Sequence, residues 1–259
     1  MAADLSGVWA KIERADEHFD LLEREIRAFT DRNPQPIGVS IPYFDAESGW
    51  FTVYAIEAEP APPRLGVILG DLVHDTRSAL DHLIWQLVIL NGATPKRSNV
   101  FPLTLSEAGW DNAIRRRLLQ GVSTKHRAII KRVQPYQGPN GPEDTYTGAL
   151  KHLSNVDKHQ VVHVAAFIMR DPTKSISVRV KRGPGQIVQS QFQGNANLEH
   201  GAELLRLRVE PMTPDTEVDV DGGFPVDVAF GDRRCIIGYV KNLPQVARVI
   251  VREFAPDFP

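Results

Sequence analysis

Cysteine is almost missing from this chain, which has one, Cys235, among 259 residues. A single cysteine excludes an internal disulfide and any zinc site built from several cysteines. The class of small secreted domains held together by disulfides is therefore excluded, and this cysteine usage is typical of a reducing compartment. We expect a cytoplasmic protein.

Long hydrophobic runs are lacking as well. The longest apolar stretch, LIWQLVIL at 83–90, is interrupted by Gln86 and is far shorter than the roughly 20 residues that a membrane-spanning helix needs. The N-terminal sequence has no basic-then-apolar order, which a signal peptide would show. We expect no membrane partner and no export by that route.

Neither sign of charge dominates the composition. The chain has 30 basic and 32 acidic residues, for a net charge of −2, so no global field attracts nucleic acid or an anionic membrane. Hydrophobic residues make up 42% of the chain, as in ordinary folded proteins. The length fits one large or two small domains, at roughly 150 residues per domain.

The first half of the chain has mainly helical periodicity. Apolar residues recur every three or four positions across about 4–30 and 63–90, which predicts two long amphipathic helices. Between them, IGVSIPYF and GWFTVYAIEA predict a β-hairpin at about 36–58. Pro42 lacks an amide proton, so it favours an edge strand.

Short helices are predicted between the second long helix and residue 160. Thr104 with Glu107 forms a candidate capping box, and Ser123 or Thr124 marks a second helix start. Another helix is expected to open at Gly141-Pro142-Glu143-Asp144, because proline and acidic residues suit the first turn.

From about 161 the apolar residues alternate with polar ones, as in Ile176, Val178 and Val180, which predicts half-buried antiparallel strands. We therefore predict an α+β fold, with a mainly helical region at 1–160 that contains the hairpin and a β-rich region at 161–259; the two regions could pack as one domain. The β-rich region ends in a helix at about 243–254, whose expected buried residues are Val246, Val249, Ile250 and Phe254.

The second long helix has a polar patch opposite its apolar face. At 100° per residue, one arc holds only core-forming residues and faces the interior: Leu65, Leu69, Leu72, Thr76, Ala79, Leu80, Leu83 and Leu87. The other side of its middle turns holds hydrogen-bonding or titratable groups: His74, Asp75, Arg77, Ser78, Asp81 and His82. From residue 84 on the helix is apolar all round and should be buried, so we expect this patch at the mouth of a packed region.

Arg77-Ser78-Ala79-Leu80-Asp81-His82 is an Arg-x4-His sequence and resembles the signature of HEPN-domain ribonucleases. The wider phrases GDLVHDTRSALDHL and LSNVDKH are similar to those of a group of bacterial proteins. The resemblance covers about 60–160. It implies a metal-independent endoribonuclease, of the kind found in toxins and phage defence, with Arg77 and His82 as catalytic residues and RNA as substrate.

The chemistry of these two residues suits RNA cleavage. An imidazole titrates near neutral pH and can take a proton from a ribose 2′-hydroxyl, while a guanidinium can hold the phosphate with two hydrogen bonds. Five residues rotate by about 500°, so Arg77 and His82 diverge by about 140° on one helix. A homodimer that pairs each arginine with the neighbouring histidine would bring them together, and we expect one.

The same residues also suit two functions other than metal-independent RNA cleavage. Arg77 and Asp81 are spaced for an ion pair along the helix, with His82 in a packing contact. That arrangement would be purely structural. A different alternative is a non-catalytic binding or regulatory module, in which the polar clusters recognise a ligand or partner and no bond is broken. The remaining possibility is a metal-dependent hydrolase that uses the histidines.

A second polar cluster lies in KHLSNVDKHQVVH at 151–163. We expect Asn155, Asp157, Lys158 and His159, together with His74, Ser78 and Asp81, to support the Arg77 and His82 site. Asp157 can orient an imidazole and Lys158 can meet a phosphate. His159 and His163 are spaced as two zinc ligands but lack the glutamate of an HExxH motif, so we expect no metal.

One stretch of the chain is strongly basic. Residues 112–142 contain seven basic side chains and no acidic one, which predicts an RNA-binding surface: Arg115, Arg116, Arg117, Lys125, Arg127, Lys131 and Arg132. The sequence has no phosphate-binding loop, dinucleotide fingerprint or nucleophile elbow, so no cofactor is expected.

Overall fold

The computed structural model has an α+β fold, which confirms the predicted class. It describes residues 2–32, 37–40, 42–45, 47–57, 62–159, 164–169, 176–192, 201–222, 226–230 and 235–259. None of the helices in these ranges is long and apolar enough to cross a membrane.

The chain forms two compact units that are not contiguous in sequence. The helical unit comprises Met1–Glu23, Arg64–His163 and Ile237–Pro259, and the sheet unit comprises Arg24–Pro63 and Val164–Ile236. The hairpin thus joins the strands of the second half, whereas the C-terminal helices join the helical unit. Strand backbones need hydrogen-bonding partners, and the hairpin finds one in a strand about 150 residues further along the chain.

The long helices lie close to their predicted bounds. Helix α1 spans Ser6–Arg32 and helix α2 spans Pro63–Leu90. Every residue of the predicted apolar arc of α2 is buried. The end of α2 is less buried than predicted, because Trp85 remains 42% exposed.

Five shorter helices complete the set of α-helices described in the helical unit: α3 (Glu107–Arg115), α4 (Thr124–Arg132), α5 (Tyr146–His159), α6 (Ile237–Val240) and α7 (Asn242–Arg252). The predicted Thr104 capping box is wrong, because Ser106 caps α3 by accepting from Gly109 N. Ser123 caps α4, as predicted. Residues Pro142–Asp144 form a separate 3-10 turn, so α5 begins only at Tyr146.

The buried face of the C-terminal helix α7 is only partly the one predicted. Ile250 and Phe254 are buried, but Val249 is 57% exposed and Val246 is partly exposed. Leu243, Ala247 and Val251 are buried in their place, at the four-residue spacing of one helical face.

The strands described in the sheet unit pair antiparallel throughout. The largest sheet has the order β1 (Ile37–Val39), β3 (Trp50–Glu57), β7 (Glu203–Glu210) and β6 (Gln186–Phe192), with β2 (Tyr43–Asp45) also paired to β3. The predicted first hairpin strand is therefore divided into β1 and β2, on either side of the segment containing Pro42. The other sheets join β4 (Val164–Met169), β9 (Val226–Phe230) and β10 (Cys235–Ile236), and β5 (Ile176–Arg182) with β8 (Glu217–Gly222).

Candidate functional site: a basic cleft in the helical unit

Arg77, on α2, is fixed by two contacts. Its Nη2 donates to the backbone carbonyl of Phe101 and to Asp81 Oδ1, 3.1 Å away. Asp81 Oδ1 also accepts from Phe101 N at 2.7 Å. The ion pair between Arg77 and Asp81 is thus present, and it holds the chain at Phe101 as well.

Residues 101–104 form a buried segment without regular secondary structure. Gln134 donates to Pro102 O at 2.8 Å and accepts from both Thr104 N and Thr104 Oγ1 at 3.0 Å. Lys151, on α5, donates from Nζ to Leu103 O at 2.8 Å. The segment therefore has a fixed position against α2 and α5.

A cleft of about 370 Å³ opens beside this segment. Three cationic side chains line it: Arg77 from α2, Arg116 from the end of α3 and Lys151 from α5. Asn112 and Ser106 add neutral polar groups, and no acidic side chain of the described residues lines the cleft. Such a lining favours an anion.

The cations of the cleft are held at some electrostatic cost. Burial lowers the pKa of Arg77, opposed by the charge of Asp81. Burial also lowers the pKa of Lys151, and the nearby positive charge of Arg77 lowers it further. A bound anion would relieve the repulsion between the two cations and replace some of their lost hydration.

The structure does not bring His82 into this cleft. His82 and His74 are exposed on α2, and Ser78 is partly exposed. His82 is not among the residues that line the cleft with Arg77. Arg77 therefore lines the cleft while His82 lies outside it, as expected from their divergence on one helix.

Asp75, predicted on the polar side of α2, has a side chain that is only 9% exposed. Its carboxylate pairs with Lys11 Nζ at 2.7 Å and lies 3.4 Å from His18 Nε2, both on α1. Helical spacing relates residues of one helix only, so this pairing between two helices could not be predicted from it.

The second polar cluster is described only in part. Asp157 on α5 lies over Gly70 of α2, where a methyl group would collide with its carboxylate. Asn155 is exposed. The side chains of Lys158 and His159, and all of His163, lie outside the described residues.

The basic stretch divides into paired and unpaired groups. Three of its cations form ion pairs: Lys125 with Asp257 at 2.6 Å, Arg132 with Glu253 at 2.7 Å and Lys131 with Glu107 at 3.1 Å. Four have no carboxylate within 4.0 Å in the part of the chain that the structure describes: Arg115, Arg116, Arg117 and Arg127.

One histidine that sequence analysis did not select is buried in a polar contact. His126 Nε2 lies 2.8 Å from Asp257 Oδ2, and its ring meets Phe254 edge-on at a centroid distance of 5.6 Å. Hydrogen bonds from Lys125 and His126 lower the pKa of Asp257. The contact links residues 131 positions apart, so no local motif could reveal it.

Potential metal ligands do not cluster in the described ranges, where no group of three or more histidine, cysteine, aspartate or glutamate side chains is suitably placed. No family model, curated protein or solved structure matches this chain. The resemblance to HEPN-domain ribonucleases remains a prediction that rests on residues 77–82 and the neighbouring phrases.

Proposed function

We propose that the cleft lined by Arg77, Arg116 and Lys151 binds a phosphate group of single-stranded RNA. The observation that carries this proposal is the convergence of three cations from separate elements on one cleft without a lining carboxylate among the described residues. Phosphate is the anion that such a group of donors suits, since arginine can hold it with two hydrogen bonds and lysine with a point charge.

Arg116 is suited to a direct test because it is exposed and lacks an ion-pair partner among the described residues. Arg116→Gln should lower the affinity for a short single-stranded RNA and reduce the log-log salt slope by about 0.7, the value for one lost phosphate contact. Fluorescence anisotropy at several salt concentrations measures both quantities.

Arg115→Gln is the matched control. Arg115 is an exposed arginine directly before Arg116, but it does not line the cleft. Its variant should leave the salt slope unchanged. Equal effects of the two substitutions would show diffuse attraction by the basic stretch and contradict a specific site.

A second candidate function is cleavage of the bound RNA without metal, as the Arg-x4-His resemblance implies. One observation favours it: His82 is exposed and thus accessible to a second molecule. In this proposal two copies form a homodimer, where Arg77 of one copy holds the phosphate and His82 of the other takes the proton from the ribose 2′-hydroxyl. The 2′-oxygen attacks the phosphorus and the P–O5′ bond breaks, which leaves a 2′,3′-cyclic phosphate on one product. The departing 5′-oxygen takes a proton from water and becomes the hydroxyl of the other product.

Mixing two inactive variants tests this composite site. Arg77→Lys and His82→Ala should each abolish cleavage, whereas co-folded mixtures should recover it, because the mixed dimer contains one site with both native residues. Cleavage should persist in EDTA. It should fail on an all-deoxy copy of the substrate, which lacks the 2′-hydroxyl nucleophile. Cleavage by His82→Ala alone, or no recovery in the mixed dimer, would exclude the composite site.

Retention of RNA affinity without cleavage by the wild-type protein would leave phosphate binding as the function. This is the outcome expected of a non-catalytic binding module.

A further inference from the structure

A second basic cleft lies at the C-terminal end of α3. It has a volume of about 310 Å³ and is lined by Arg117 and Arg127, with Gln120, Ile114 and Leu119. No acidic side chain of the described ranges contributes to this lining. Its two arginines are among the four cations of the basic stretch that lack a carboxylate partner there.

Arg127 has an unused donor in this region. Its Nε is buried and makes no hydrogen bond to any described residue. Buried donors in native proteins are nearly always paired, so an orphaned one requires an explanation. A ligand oxygen in the adjoining cleft would satisfy it.

Arg117 has an unusual backbone conformation. Its φ of 61° is the one positive value of a non-glycine residue among the described residues. Arg117 N donates to Ile114 O and Leu118 N donates to Ala113 O, which is the hydrogen-bond pattern of a helix end where glycine is usual. An arginine occupies this position despite the backbone cost, and such outliers often mark functional positions.

The two clefts are adjacent along the chain. Arg116 lines the first and Arg117 the second, and the Cα atoms of consecutive residues are about 3.8 Å apart. Asn99 holds the loop after them by donating to Leu118 O and Gln120 O at 3.2 and 2.9 Å. Two cationic clefts to which consecutive residues of one loop contribute suit a ligand with successive phosphates.

We propose that the cleft of Arg117 and Arg127 holds a second phosphate of the RNA strand whose first phosphate occupies the Arg77 cleft. This inference rests on the proposed phosphate-binding function and specifies its ligand as a chain with at least two successive phosphates. Single-stranded RNA fulfils this requirement, because each nucleotide linkage carries one phosphate.

The test compares the double variant Arg117→Gly and Arg127→Gln with Arg116→Gln and Arg115→Gln in the full chain. The double variant should reduce the salt slope for a short single-stranded RNA by about 0.7, the value for one lost phosphate. Arg115→Gln should not change it. A slope that falls in Arg116→Gln but not in the double variant overturns the second site alone, whereas unchanged slopes in both overturn the first site too.

Two further measurements separate binding from folding. Glycine is the preferred residue at a left-handed helix end, so Arg117→Gly alone should keep or raise the melting temperature while it weakens RNA binding. A lowered melting temperature with unchanged RNA affinity would assign Arg117 a structural role and overturn the proposal. In the wild-type protein, the Arg127 Nε–H resonance should shift as the RNA is added; a resonance that stays fixed at saturation overturns the second site.

Discussion

At the scale of single residues, Lys151 predicts a pH dependence of phosphate binding. Its pKa is lowered in the free protein by burial and by Arg77, and a bound phosphate would raise it again. Below the lowered pKa the ammonium is charged with or without ligand, so affinity is constant. As the pH rises through that pKa, binding requires proton uptake, and affinity should fall.

Titration of RNA affinity between about pH 7 and 10, around and below the usual lysine pKa, measures this effect. Lys151→Arg is the control, since arginine remains charged throughout and should show a flat profile. A wild-type profile as flat as that of Lys151→Arg would contradict a phosphate contact by Lys151.

Asp75 predicts a stability effect without a direct effect on RNA binding. Its buried carboxylate pairs with Lys11 and lies near His18, so Asp75→Asn should lower the free energy of unfolding by about 1.5–3 kcal/mol, the range for hydrogen bonds to charged groups. Asp71→Asn, at an exposed position one turn earlier, should change it by less than about 0.5 kcal/mol. Urea unfolding of the two variants tests the difference; similar values would show that the Asp75 pair contributes little.

At the scale of elements, α7 contains two consecutive apolar residues, one exposed and one buried. Ile250→Ala should lower the free energy of unfolding by about 2–5 kcal/mol, because Ile250 is buried and its truncation leaves a cavity. Val249→Ala, at a 57% exposed position, should cost less than about 0.5 kcal/mol. Thermal or urea unfolding would detect the difference, and equal losses would contradict the observed orientation of α7.

The helices also show when hydrophobic periodicity is sufficient to predict which residues are buried. The bounds of α2 and its whole buried arc were predictable, because 28 residues repeat the same helical spacing many times. The orientation of α7 was not, because its 11 residues include apolar side chains on more than one face. Capping was predicted correctly at Ser123 and wrongly at Thr104, whose hydroxyl bonds to Gln134, 30 residues away.

At the scale of the whole molecule, the discontinuity of the helical unit predicts that its C-terminal segment is essential. Residues 237–259 supply buried apolar side chains to this unit: Val240, Leu243, Ala247, Ile250, Val251 and Phe254. Burial of one large aliphatic or aromatic side chain contributes about 1.5–3 kcal/mol, so losing the set would remove most of a typical stability of about 5–15 kcal/mol.

A chain that ends at Ile236 should therefore fail to form the helical unit cooperatively. Circular dichroism would show loss of a sharp thermal transition, and binding of a hydrophobic dye would rise. Deletion of the exposed Pro259 alone should leave the transition intact. A cooperative transition in the chain ending at Ile236 would show that the remaining helices are sufficient.

The sequence by itself determined the α+β class, the long helices and the alternating strands, because hydrophobic periodicity depends only on residues close together in sequence. It also located the basic stretch. Only the tertiary structure decided which charges remain available, by pairing Lys125, Lys131 and Arg132 with distant carboxylates. It likewise brought Arg77, Arg116 and Lys151 to one cleft, since such convergence depends on helix packing between residues far apart in the chain.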